Sequence, residues 1–143
     1  VKKKTDQQKT TAKRKQCVTI AKLIARKKAG YRCEYVDENG IRCNRGEPNY
    51  QTHGSHIKCE HRHRGMSADI DNIQCHCAGH HTGMGNVTPN WHKDPLLMVM
   101  LFAKRQPERA EELNLRSQKA IKVNWDKRLV ELKKELDKLK ETQ

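Results

Sequence analysis

Histidine and cysteine crowd one stretch of this chain. All eight histidines lie between His53 and His92, and five of the six cysteines lie between Cys33 and Cys77. These two side chains are favoured zinc ligands, and imidazole is the usual general base near neutral pH. A structural zinc site needs four ligands at tetrahedral corners. Cys33 and Cys43 offer one pair, nine intervening residues apart; Cys77-Ala78-Gly79-His80 offers a second with knuckle spacing. Together they make a Cys3His set that would clip two distant parts of the chain. Cys59 and Cys75 compete for places in it. A disulfide framework has no need of so many histidines nearby, so zinc is the preferred reading.

With zinc assigned, His56, Asn72 and His81 remain, in the order His, Asn, His around one zinc knuckle. The arrangement resembles the HNH, or ββα-metal (His-Me finger), nuclease motif. More narrowly, the chain is similar to the phage NinG/Rap recombination nucleases over roughly residues 10–86. The stretches that carry the likeness are TTAKRK, TIAKLIARKKAG, GSHI, DNIQCHC and the closing Gly85-Asn86. The resemblance implies a small α+β fold: a zinc-stapled, treble-clef-like ββα-metal core flanked by a basic N-terminal helix and C-terminal helices. It also implies a DNA endonuclease acting on branched or recombination DNA, such as a Holliday junction or D-loop, in the cytoplasm of a bacterial host.

On that likeness His56 is the general base that activates water, and Asn72 holds the strand and loop so that the imidazole faces the phosphate. His81 holds a catalytic divalent metal, Mg²⁺ or Mn²⁺, while the neighbouring zinc is structural. One position departs from the pattern. Where many such sites have an Asp or His before the base, this chain has Ser55. His53 is the first candidate for the second metal ligand, with His61, His63 and His76 behind it. On an extended strand the odd offset between His53 and His56 points them to opposite faces, unless a bulge at Gly54 turns His53 back.

The elements that must position these residues have little apolar material. Of 143 residues, 34% are hydrophobic and 4% aromatic, so the core is small and a metal staple is in keeping. The net charge of +13 is uneven: residues 1–29 carry eleven Lys or Arg against one Asp, and the rest of the chain is close to balanced. Such a block suits a polyanion. Lys13, Arg14, Lys15, Lys22, Arg26, Lys27 and Lys28 are the candidate phosphate contacts, which would grip without reading bases. No N-terminal apolar run is long enough for a leader or a membrane span, so a reducing cytosol is expected.

Along the chain, residues 1–10 read as a disordered tail and a helix begins near Thr11. Val18, Ala21, Leu23 and Ile24 face its core, Lys22, Arg26, Lys27 and Lys28 face out, and Gly30 stands at C′. Asn39-Gly40 predicts a tight hairpin turn between Cys33 and Cys43. Residues 49–58 read as a strand, and Asn72 opens a short helix or turn through His81. Asp94 and Pro95 begin an apolar core helix through Arg105. Trp125, Leu129, Leu132, Leu136 and Leu139 fall at the spacing of a coiled-coil seam, which would pack within the chain or join a homodimer. Residues 1–30, 31–92 and 93–143 are thus the expected arm, core and helical region. A zinc-stapled nucleic-acid-binding module without catalysis is the alternative reading.

Overall fold

The computed structural model describes residues 1–142. Among them it is a small α+β fold, with five α-helices and one two-stranded sheet.

The first helix, α1 (Asp6–Lys28), starts five residues before the expected Thr11. The reason is a capping box: Thr5 Oγ1 accepts from the Gln8 N–H at 3.2 Å, and Gln8 Oε1 accepts from the Thr5 N–H at 2.9 Å. The helix ends at Ala29, with Gly30 beyond it at φ +65°. Its buried face is Cys17, Val18, Ala21, Ile24 and Ala25, whereas Leu23 is only half-buried. Lys22 and Arg26 do not face free solvent as expected; both are half-buried against the sheet. Arg26 Nε donates to Thr52 Oγ1 at 3.2 Å, and Lys22 crosses directly over Gly54. A Cβ at residue 54 would lie 2.7 Å from both Cβ and Cγ of Lys22, so only glycine permits this approach.

The Cys33–Cys43 segment turns back on itself as expected. Val36 bridges Arg42, the Cys43 N–H donates to Tyr35 O at 2.8 Å, and Asp37 Oδ1 accepts from the Asn39 and Ile41 N–H groups. The expected strand is β1 (Thr52–His56). Asn72 does not open a helix. It ends a 3₁₀ turn, Ile70–Asn72, and is followed by a second strand, β2 (Ile73–Cys77), and only then by the one-turn helix α2 (Ala78–Thr82). All five β2 residues are buried. IQCHC alternates apolar and polar over only five residues, and Gln74 and His76 are buried along with Ile73, Cys75 and Cys77, so both faces of the strand lie inside the protein. The two strands pair antiparallel in unbroken register from Thr52–Cys77 to His56–Ile73, so no bulge interrupts Gly54.

After α2 come α3 (Pro95–Arg105), α4 (Pro107–Ser117) and α5 (Trp125–Glu141). Only one side of α3 is core: Met98 and Phe102 join Ile57, Met66, Trp91 and Leu113, while Leu96, Leu97 and Met100 are exposed. The leucine seam of α5 is spent inside the chain. Leu129 and Leu132 are buried with α1 residues Cys17, Val18, Ala21, Ile24 and Ala25, and Trp125, Leu136 and Leu139 pack around them. None of the helices is long and apolar enough to cross a membrane.

Candidate metal centres and histidine face

The hairpin, the end of β2 and the turn of α2 meet at one point. Cys33, Cys43, Cys77 and His80 bring their ligand atoms within 4.8 Å of one another. Cys33 Sγ lies 3.6 Å and Cys77 Sγ 3.3 Å from His80 Nδ1. A zinc tetrahedron with Zn–S of about 2.3 Å and Zn–N of about 2.0 Å has S···N edges of about 3.5 Å, so the donors stand where such an ion needs them. Cys33 and Cys77 push each other's ionisation apart: their mutual contact raises Cys33 and lowers Cys77, whose thiolate is further favoured by the hydrogen bond from His80. This Cys3His group can bind a metal such as zinc. Cys59 is exposed and outside it. Cys75 is buried elsewhere, and burial pushes its thiol up to about 11, away from the ligand form.

Next to His80, on the same turn of helix, is His81. Its Nδ1 lies 2.8 Å from His53 Nδ1, and its ring meets His92 edge-on with centroids 4.9 Å apart. His53 reaches His81 without a bulge, because the helix after β2 carries His81 to it; with the register unbroken, the pleat points His53 and His56 to opposite faces of the sheet. Burial, then the charges of His53, His92, Lys22 and His56, push His81 down to about 4. Burial and the cations Arg26 and Lys22 likewise lower His53. At neutral pH both imidazoles are therefore uncharged, the form that binds a metal.

His56 is placed separately. Its Nε2–H donates to Ser67 O at 2.7 Å, which leaves Nδ1 as the unprotonated nitrogen. Burial lowers its pKa, opposed by the Ser67 carbonyl and by Glu60. The loop that supplies Ser67 is held by Asn72, which is 0% exposed. Asn72 Oδ1 accepts from the Lys58 N–H at 2.7 Å, and its Nδ2 donates to Lys58 O at 3.0 Å and Met66 O at 3.2 Å. Those bonds tie the end of β1 to the loop on both sides of His56's acceptor.

The other candidates do not gather here. His76 is buried, bonded to Ser55 Oγ, and accepts from Trp91 Nε1 at 3.5 Å; burial lowers it to about 3. It therefore serves the interior rather than a metal. His61 and His63 lie on the loop that leads to Ser67 and line a hollow with Arg116 and Lys119. His92, on the segment before α3, is the one the spacing missed. Its N–H donates to His81 O at 3.2 Å, just as the Trp91 N–H donates to His80 O at 2.9 Å. That backbone pairing, between segments ten residues apart, leaves no mark in the composition.

α1 runs beside this face. Arg14 pairs with Glu60 at 3.6 Å, Lys13 with Asp126 at 3.5 Å, Arg26 with Glu47 at 2.8 Å and Lys28 with Glu135 at 2.7 Å. Among the described residues, Lys15, Lys22 and Lys27 form no ion pair. The charge of Lys22 acts on His53, His56 and His81 alike. No protein-family model, curated protein or solved structure matches this chain, so the chemistry of the face rests on its own geometry.

Proposed function

We propose that the chain is a metal-dependent DNA endonuclease that hydrolyses phosphodiester bonds at the histidine face. One observation carries the reading: a single-tautomer His56, fixed by the Ser67 carbonyl and the Asn72 clamp, whose charge is felt at the uncharged imidazole of His81. Phosphodiester hydrolysis needs a base for the attacking water, charge stabilisation at the phosphoryl oxygens, and help for the leaving oxygen. His56 Nδ1 takes the proton from water, and the imidazolium so formed is stabilised by its Nε2–H bond to Ser67 O. Asn72 keeps that bond in place and touches no substrate. His53 and His81 hold a divalent ion, which when bound supplies Lewis-acid stabilisation of the phosphoryl and leaving oxygens. Their Nδ1–Nδ1 separation of 2.8 Å is close to the edge of about 3 Å expected for two cis nitrogens on such an ion. An all-imidazole donor set suits Mn²⁺ better than Mg²⁺, which prefers oxygen. Lys22 and the cations of α1 hold the flanking phosphates.

Branched recombination DNA is the substrate class that the family resemblance implies. A panel of linear duplex, flap and four-way junction DNA tests it. The second reading, a zinc-stapled DNA-binding module, is favoured by the same 2.8 Å contact: two imidazoles hydrogen-bonded to each other have no need of an ion. Nicking of supercoiled plasmid with Mn²⁺ or Mg²⁺ separates the two. The nuclease reading expects nicking by the wild type and loss of about 10²–10⁴ in rate for His56→Ala, with DNA binding retained. Binding without nicking in either metal leaves the module.

A further inference from the structure

The C-terminal half adds a feature that the basic arm does not explain. The linker between α4 and α5 is strapped to the loop that carries Ser67. At one end Arg116 pairs with Asp69 at 2.8 Å and Asp71 at 3.0 Å. At the other, Arg128 donates from Nη2 to Ala68 O at 2.8 Å. Between them Ile121 is pressed onto Gly65, where a Cβ would lie 2.7 Å from Ile121 O and 2.8 Å from Ile121 Cβ. An exposed linker held at three points is built to keep a shape.

That shape is an open groove in two adjoining hollows of ≈ 410 and ≈ 500 Å³. Arg62 and Arg64 form one wall and Lys119 and Lys122 the other, with the first turns of α1 up to Arg14 closing the side. All four of these wall residues are exposed, and among the described residues none forms an ion pair. No Asp or Glu lines either hollow. The nearby acids are already engaged: Asp69 and Asp71 by Arg116, Glu60 by Arg14. Four unneutralised cations in a fixed concavity repel one another, an arrangement relieved by a polyanion. The groove begins at Arg14, whose charge also acts on His56.

We infer that this groove is a second DNA-backbone track, which seats the strand continuing past the histidine face through its phosphates. The inference rests on the DNA-handling reading above and adds to it a path, made by residues that the sequence places almost sixty positions apart. It also gives a use to the early turns of α1, which form part of the groove wall.

The test is binding rather than cleavage, on a His56→Ala background. Fluorescence anisotropy measures the affinity for duplex and four-way junction DNA with long arms across a salt series. Replacing Arg62, Arg64, Lys119 and Lys122 with Ala is expected to weaken binding at least tenfold and to flatten the salt slope by about 2–3, since each lost duplex phosphate contact removes about 0.9. The control chain removes four exposed lysines of α5 instead, Lys133, Lys134, Lys138 and Lys140, for the same change in net charge. Its slope should move by less than one. The two-residue variants, Arg62/Arg64→Ala and Lys119/Lys122→Ala, should each give part of the effect, with melting temperatures checking the fold. A groove variant that matches the α5 control in affinity and slope overturns the track, as does a loss confined to RNA. A background chain that binds no DNA at all overturns the DNA reading itself, a different and recognisable result.

Discussion

On the proposed mechanism His56 and His81 are asked for opposite things, one to gain a proton and the other to stay free of one. Burial lowers both, so neither is charged at neutral pH. For His56 the sign is clear: the base form is the active form, and its pKa lies below the ordinary imidazole value because desolvation disfavours imidazolium. kcat/KM is therefore expected to be flat near neutrality and to fall with unit slope only below that ordinary value. An acid limb centred above it counts against His56 as the base. For the metal pair, the donor chemistry predicts faster nicking in Mn²⁺ than in Mg²⁺ at equal concentration, and loss of that preference in His53→Ala. The four zinc-type ligands were legible because a hairpin turn sets the spacing of one pair and a single helical turn that of the other. His92 was not, because only the fold brings it to His81.

The elements around the Cys3His group are too short to stand without it. The hairpin arm is held by isolated bridges, the sheet has two strands, and α2 has five residues. Isolated two-stranded sheets are marginal in water. Chelation of the bound metal should lower the melting temperature sharply and reduce far-UV ellipticity, with recovery on adding zinc. Cys77→Ser should reproduce the chelated state, whereas Cys59→Ser, at an exposed position outside the cluster, should melt like the wild type. His76 adds a pH term. Its folded pKa of about 3 lies below the unfolded value, so the unfolded chain binds the extra proton as pH falls. Stability is then full above about 6.5 and drops by about 1.4 kcal/mol per pH unit from there towards 3. Melting curves between pH 7 and pH 5 check it. β2 went unread because its alternation runs for only five residues, too short to separate a strand from a turn.

At the scale of the whole molecule, α1 packs on the sheet and α5 packs on α1. The seam spacing read from the sequence meets α1 within the same chain, the first of the two packings the heptads allow. Leu132, 0% exposed, is the centre of that contact. Leu132→Ala should cost about 2–5 kcal/mol, and the melting temperature of both chains should be independent of protein concentration if no dimer shares the seam. What the sequence concealed in this region was docking: α3 is apolar all round yet buries only one side, and the linker before α5 gives no hint that it lies on the loop of residue 65. The bare backbone at Gly54 then acquires a weight out of proportion to its size. Because Lys22 rides across it, and α1 is itself fixed to α5, even an alanine there would act as a wedge under the entire helical layer. The basic helix would be levered away from the sheet as a rigid body. If the chain cuts DNA as proposed, Gly54→Ala should slow nicking before it weakens binding, which nicking and anisotropy assays on one preparation check.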